Sequence, residues 1–504
     1  MGLARPDVSV IVAVYNTMPY LRECLSSLAG QSIGAGRMEI VAVDDGSTDG
    51  SAEELDRFAE RHPGAVRVVH QANSGGPAAP SNLGLELATG RYVYFVGADD
   101  HLADEALERL VAAADAYGSD VVLGKMIGVN GRHIPQQIYA ASRTDTHLFE
   151  WPMPLALSNA KLFRRELIDA HRLRFPEHMP LYSDQPFTMA ALFHARRVSV
   201  LADYTFYYAV GRDDGSNITK SATPLEQLRA TEHIFEFAAG LIPPGQDRDL
   251  VLRRHFSWEL ARHLRPDNFL GYDRLTQEQV CRTIARLAEA YLTDNLRAQL
   301  TRLHRYRLTL AARGEIDTLC QALKATEPPP VLVRDGLPYT CLPGHEYLPG
   351  DCTLLSGDLT RRIADGLRVT SMRWRGQVLE LAGETGLRGE ATVSVRLAPL
   401  SDENKPVTGR PDSQPASAFR FELPLPFRPG RYAVRLSTEI AGVPYDFGVP
   451  AVDLLPRLRV RRGLRKWLMR TKANSRGHLM LTVARDPKPR AGVLGRLMGR
   501  SGAR

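Results

Sequence analysis

Five short runs rich in β-branched and aromatic residues recur through the first 130 positions, and a stretch of helical periodicity separates each run from the next. The runs are VSVIVAVY (8–15), EIVAVDD (39–45), VRVVHQ (66–71), RYVYFVGADD (91–100) and DVVLGKMIG (120–128), with helices expected at about 19–29, 51–60, 81–88 and 103–116. Strands that alternate with helices form βαβ units, and strands this uniformly apolar are buried on both faces of a parallel sheet. An open α/β sheet of this kind binds its ligands beyond the carboxyl ends of the strands. The loops that follow the runs are therefore where chemistry is expected.

Two of the runs end in paired acids. Asp44 and Asp45 precede the turn GSTDGS, and Asp99 and Asp100 close the fourth run. Carboxylates at such a place can accept from the imide N–H of a base or from ribose hydroxyls. They also suit a hard divalent ion that bridges two phosphates and neutralises charge on a diphosphate leaving group. Helix capping by Asp49, Ser51 or Asp100 is the purely structural alternative. Between the pairs lies the Gly-rich segment NSGGPAAPSNLG (73–84), which opens a helix. Turns use glycine everywhere, so that segment carries weight only beside the acids.

In this order VSVIVAVYN, the VDDGSTD turn, the N-x-G segment from Asn73, the S-N-x-G-x-x-x-A-x-G helix ending at Gly90 and YFVGADD resemble the family 2 glycosyltransferases over about residues 7–220. The resemblance implies an α/β GT-A (Rossmann-like) nucleotide-sugar domain at 1–220 and inverting transfer from a UDP-sugar. It places Ala13 and Tyr15 beside the nucleotide, and assigns uracil recognition to Asp45, with Asp44 beside it, and Asn73. The family's D-x-D motif falls on Gly97, Ala98 and Asp99, so Asp99 is the implied ligand of Mg2+ or Mn2+. Gly97 replaces the first acid, so either Asp100 compensates as a second metal ligand or metal dependence is weaker. Ser81 stands where many members carry Arg.

The same resemblance implies a general base, which must take the acceptor hydroxyl proton as that oxygen attacks the anomeric carbon. It falls on Asp184 in LYSDQPF, where Ser183 replaces a common Glu; an N-cap is the alternative for Asp184. The segment GRDDGSN is similar to the family's mobile R-x-x-G-S loop, giving Arg212 and Ser216 as diphosphate contacts. A guanidinium suits phosphate because it can donate two parallel hydrogen bonds.

Beyond residue 220 the texture changes. Apolar residues three and four apart, as in LEQLRATEHIFEFAAGL (225–241), predict a helical linker region over 221–330, which the prolines at 328–330 end. Residues 331–455 alternate apolar and polar between Gly/Pro turns and predict an all-β domain, a sandwich or barrel. This plan, with the W-x-G-x-x-L-x-L-x-G stretch at 374–383, resembles the wall teichoic acid N-acetylglucosaminyltransferases of Gram-positive bacteria. It implies UDP-GlcNAc as donor, a polyol-phosphate or glycan acceptor such as poly(ribitol phosphate), action on the cytoplasmic side of the membrane, and a homo-oligomer, a trimer formed through C-terminal domains.

Composition bounds the alternatives. The chain has 504 residues, 44% hydrophobic and 24% charged, which excludes wholesale disorder and fits about three domains of roughly 150 residues. Five cysteines without a close pair speak against a zinc or redox site. No apolar run is long enough for a membrane span and no leader pattern opens the chain, so a cytoplasmic protein is expected. The net charge of +7 is uneven: residues 456–504 hold 15 Lys or Arg and one acid, Asp486, which leaves −7 for the rest. This basic tail is expected to lie on an anionic membrane, to bind a polyanionic acceptor, or to be a solvated extension. No motif points to specific nucleic-acid binding. The competing functional reading is a catalytically degenerate carbohydrate-binding or scaffold protein, motivated by Gly97 and Ser183.

Overall fold

The computed structural model describes residues 5–213, 218–325, 330–340, 342–344, 356–389, 391–401, 405–411, 417–440 and 442–486. They form two compact units, the first ending at Ile316 and the second beginning at Asp317.

The first unit is built on a nine-stranded sheet. Strands β1 (Val8–Val14), β2 (Met38–Asp44), β3 (Val66–His70) and β4 (Tyr92–Gly97) alternate with helices α1 (Leu21–Ala29), α2 (Ser51–Arg61) and α3 (Ala78–Leu87). Next come β5 (His101–Leu102), α4 (Ala106–Tyr117), β6 (Val121–Val129), β7 (Arg143–Thr146), β8 (Leu162–Arg164), α5 (Arg165–Ala170), α6 (Asp184–His194) and β9 (Val198–Val210). Successive residues of a strand face opposite sides, and Val10, Ile11 and Val12 of β1 are all buried, so helices cover both faces. Helix α1 buries Leu21, Cys24, Leu25 and Leu28, one stripe at helical spacing.

The strand order is β3-β2-β1-β4-β8-β6-β9-β5, with β7 on β9. The first four strands run parallel, as the alternation predicts. The sheet is nevertheless mixed, because the three-residue β8 inserts antiparallel between β4 and β6. A strand that short carries no alternation to read.

Helices from Pro224–Leu241 to Arg302–Ala312 follow. They fall in the same compact unit as the sheet. Thr223 starts the first with a capping box: its Oγ accepts from the Glu226 amide, and the Glu226 carboxylate accepts from the Thr223 amide. Midway, Phe256–Leu260 winds as a π-helical turn, a form that is rare and concentrated at functional sites. No helix among the described residues is long and apolar enough to cross a membrane.

The second unit holds sheets of three, four and seven strands and the helix Ser356–Asp365. Leu379, Leu381, Phe421, Val434 and Met469 lie in its core. The β region does not stop at 455. Strands Leu458–Arg462, Arg465–Ala473 and Leu479–Arg485 belong to the seven-stranded sheet, so 456–485 is not a tail. Their alternation explains this: Leu458, Val460, Trp467 and Met469 pack against the core while the Arg and Lys between them face solvent. Cys24, Cys281 and Cys320 are free thiols, and Cys341 and Cys352 lie outside the described residues.

Candidate active site

Strand β1 lies between β2 and β4 with Ala13 beside Val43 and Gly97, so the three carboxyl ends stand level. Above them opens a cavity of about 710 Å³ lined by Ala13, Tyr15, Asp45, Asn73, Asp99 and Arg212, among others. Six of the ten residues singled out from the sequence therefore share one wall.

Asp45 is fixed on every side. It accepts from Gln71 Nε2 at 2.6 Å, from the Ser74 amide at 3.1 Å and from Ser74 Oγ at 2.9 Å. Asn73 Oδ1 accepts from the Gly75 amide at 2.7 Å, which curls the Gly-rich loop beside it. Tyr15 is 47% exposed, among the large apolar side chains that reach solvent. Asp44 departs from expectation and lines neither this cavity nor the next. Consecutive residues at a strand end point to opposite faces, and Asp44 turns to His70 Nδ1 at 3.0 Å and to the Ser47 amide at 3.1 Å. Its hydrogen bond, with a further one from Asp56, raises the His70 pKa.

Asp99 faces the cavity and forms an ion pair with Arg212, whose Nε donates to Oδ2 at 2.7 Å; Arg212 Nη1 also donates to the Asn16 carbonyl at 3.3 Å. Asp100 is placed differently. It accepts from the Tyr207 hydroxyl at 2.6 Å and from the Val210 amide at 2.7 Å, deep in the wall, so its carboxylate is already committed. Burial, with Asp99 beside it, pushes its pKa up to about 7. Asp100, expected as a second metal ligand, thus has both carboxylate oxygens hydrogen-bonded within the protein while it lines the second cavity described below. The same placement accounts for Gly97: a Cβ there would lie 2.6 Å from Asp100 Oδ2 and 3.2 Å from Asp99 Oδ1. Ser216 lies outside the described residues.

A second cavity of about 440 Å³ shares Ala13, Gly97, Asp99 and Arg132 with the first and runs on to Asp184, Arg254 and Trp258. Asp184 opens α6. Burial raises its pKa, and Arg254 and Lys161 partly offset the rise. Lys161 is 1% exposed and donates through Nζ to the Ser158 carbonyl; burial holds its pKa down to about 7. Arg254 is held by Gln185 Oε1 at 2.5 Å and Glu259 Oε1 at 3.0 Å, and stacks on Trp258 at 5.5 Å. Burial opposes ionisation of Glu259, but Arg254 and His255 outweigh it and hold its pKa at about 2. A persistent anion thus anchors a cation next to the first turn of α6.

Lys161, Arg254, Trp258 and Arg132 escaped the sequence reading. Nothing in SNAKLF marks its lysine as buried, and Arg254 and Trp258 come from helices that read as linker. The π-helical turn that carries Trp258 has no signature in hydrophobic periodicity.

Among the described residues no group of three or more His, Cys, Asp or Glu is arranged to hold a metal ion by itself. The donor set still fits Mg2+ or Mn2+ bound with a diphosphate, because Mg2+ commonly takes one or two carboxylates and completes its shell with phosphate and water. Asp99 is a carboxylate on the wall of both cavities.

Comparison with known proteins places this geometry. The family description "Glycosyl transferase family 2" matches residues 9–172, and "Glycosyl transferase TarS linker domain" matches residues 226–322. The poly(ribitol-phosphate) β-glucosyltransferase of Bacillus spizizenii is 36% identical over 221 residues, 44% of this chain and 35% of that protein. The poly(ribitol-phosphate) β-N-acetylglucosaminyltransferase TarS of Staphylococcus aureus is 35% identical over 255 residues, 50% of this chain and 44% of that one. The chain thus spans less than half the length of either relative. The crystal structure of S. aureus TarS 1–349 in complex with UDP-GlcNAc superposes with a TM-score of 0.58 at 30% identity, covering 67% of this chain and 97% of that one. The chain belongs to the family 2 glycosyltransferases.

Proposed function

We propose that this glycosyltransferase moves a sugar, GlcNAc in the first instance, from its UDP donor to a hydroxyl of a poly(ribitol phosphate) chain, with inversion at the anomeric carbon. The observation that carries the proposal is that Asp99 and Gly97 are shared by two cavities, one walled by Asp45, Asn73 and Arg212 and the other by Asp184. A donor whose diphosphate lies at Asp99 reaches back to the nucleotide loops and forward to the carboxylate on α6. The names of the two relatives and the UDP-GlcNAc complex support the acceptor and the donor.

In this reading uracil sits against the loop that Asp45 holds through Ser74, and Arg212 exchanges its bond to Asp99 for diphosphate oxygens. A divalent ion held by Asp99 would supply charge neutralisation at the leaving group. Asp184 takes the proton of the acceptor hydroxyl, that oxygen forms its bond to C1 from the face opposite UDP, and the C1–O bond to the diphosphate breaks. Arg254 and Lys161 partly offset the rise that burial imposes on the Asp184 pKa, and so favour the ionised form that can take the proton. Orientation of the two substrates and stabilisation of the departing UDP supply most of the acceleration. The proposal extends to action at the cytoplasmic face of the membrane and to self-association through the second unit.

The test is UDP release from UDP-GlcNAc and UDP-glucose, with and without poly(ribitol phosphate). Release from one donor that the polymer stimulates and Asp99→Ala abolishes is expected. No polymer-stimulated release from either donor would overturn the proposal.

A further inference from the structure

The second unit carries a basic hairpin that the transferase chemistry does not use. Strands Leu458–Arg462 and Arg465–Ala473 are joined by the two residues Gly463 and Leu464. Gly463 takes φ +59°, the left-handed value that the first position of a tight hairpin turn requires. The turn leaves Leu464 95% exposed, the most exposed of the large hydrophobic side chains among the described residues.

Around this leucine stand Arg461, Arg462, Arg465 and Lys466. Register sets Arg461 opposite Lys466 and Arg462 opposite Arg465. Like charges directly opposite destabilise a hairpin, and none of the four forms an ion pair among the described residues. From Arg457 to Lys466 the chain has six basic residues and no acid. Asp486, the one acid after residue 456, is engaged with Arg459 at 3.5 Å. The charge therefore persists against its own repulsion.

The hairpin is also firmly mounted. Trp467 is 3% exposed, its ring lies 6.0 Å from Phe427, and Arg462 stacks over Phe427 at 4.5 Å. A solvated extension would show none of this. A soluble polyanion would engage the arginines but offers nothing to an exposed leucine, whereas a bilayer interface takes both, the leucine among acyl chains and the cations among phosphate headgroups.

We infer that the tip of this hairpin, Leu464 with Arg461, Arg462, Arg465 and Lys466, is a docking element for an anionic lipid bilayer. This rests on the reading of an enzyme that works at a membrane face. The test is sedimentation of the full chain with phosphatidylglycerol vesicles and with phosphatidylcholine vesicles. Binding only to the anionic vesicles is expected. A basic residue near such a surface is worth about fivefold in partitioning, so Arg465→Gln with Lys466→Gln weakens binding about 25-fold. Leu464→Ser, which leaves the charge intact, weakens it about tenfold. Thermal unfolding and UDP release with soluble acceptor stay at wild-type levels in all variants, so failure of the hairpin and failure of the transferase reading are seen separately. Wild-type protein that ignores phosphatidylglycerol, or Leu464→Ser that binds as tightly as wild type, overturns the inference; in the second case, displacement from the vesicles by a soluble ribitol-phosphate polymer assigns the surface to that polymer instead.

Discussion

Replacing Gly97 by alanine tests how the two acids after β4 are arranged. The new Cβ would lie 2.6 Å from Asp100 Oδ2, closer than carbon and oxygen can stand without a bond. Asp100 can retreat only by loosening its bonds to Tyr207 at 2.6 Å and Val210 at 2.7 Å. Overpacking of this kind costs about 1–3 kcal/mol, and each weakened hydrogen bond adds about 1 kcal/mol, so a loss of about 2–4 kcal/mol is expected. Asp100→Ala leaves the Tyr207 hydroxyl, which still accepts from the Gly97 amide, and the Val210 amide each without an acceptor for its proton, with a loss of similar size. Once Asp100 is truncated the clash is gone, so the double variant should be more stable than the sum of the singles by about 2 kcal/mol.

The cycle can be read from the thermal transition that UDP shifts, which identifies the first unit; about 2 °C is expected per kcal/mol for a unit of this size. It also has a pH signature. The folded state holds the Asp100 pKa at about 7, above its ordinary 3.8. The stability this contributes is complete below the unfolded value and lost as pH rises through the folded one. The deficit of Asp100→Ala should therefore be larger at about pH 4 than at about pH 8. Single effects that add to within about 0.5 kcal/mol would refute the packing argument.

Three further outcomes are expected. Arg212→Ala should weaken UDP binding by calorimetry about ten- to hundredfold while leaving uridine affinity unchanged, since charge-assisted bonds to phosphate are worth about 1.5–3 kcal/mol; equal losses for both ligands would place Arg212 away from the diphosphate. Lys161→Met removes a cation that favours ionised Asp184, so the acid limb of the kcat/KM profile should move to higher pH, and an unmoved limb would show that Lys161 does not act on the base. Chelation with EDTA should stop UDP release and added Mn2+ or Mg2+ restore it; full turnover in chelator would remove any metal role from Asp99.

Much of the first unit is legible in the sequence because its strands are short, apolar on both faces and spaced by amphipathic helices. The motif residues fall at strand ends, where the α/β rule looks for them, and Ala13, Asp45, Asn73 and Asp99 do line one cavity. Asp44 shows the limit of reading pairs: it and Asp45 are adjacent at a strand end, yet Asp45 lines the first cavity while Asp44 turns to His70, and only geometry tells them apart. The second cavity was illegible for another reason. Arg254 and Trp258 reach it from helices whose periodicity reports burial and not what the buried face touches. In the second unit, the alternation in RLRVRR and RKWLMRTKA was present at period two, but the density of Arg and Lys made it read as a solvated tail.

The account rests finally on Asp184 as the base. Its most direct test is turnover of Asp184→Asn alongside its affinity for UDP, because the substitution keeps size and removes only the capacity to take a proton. General-base catalysis contributes about 100- to 10,000-fold. The account predicts kcat lower by at least about 100-fold with UDP affinity unchanged. Turnover within about tenfold of wild type would contradict it and move the proton to another group on the wall of the second cavity.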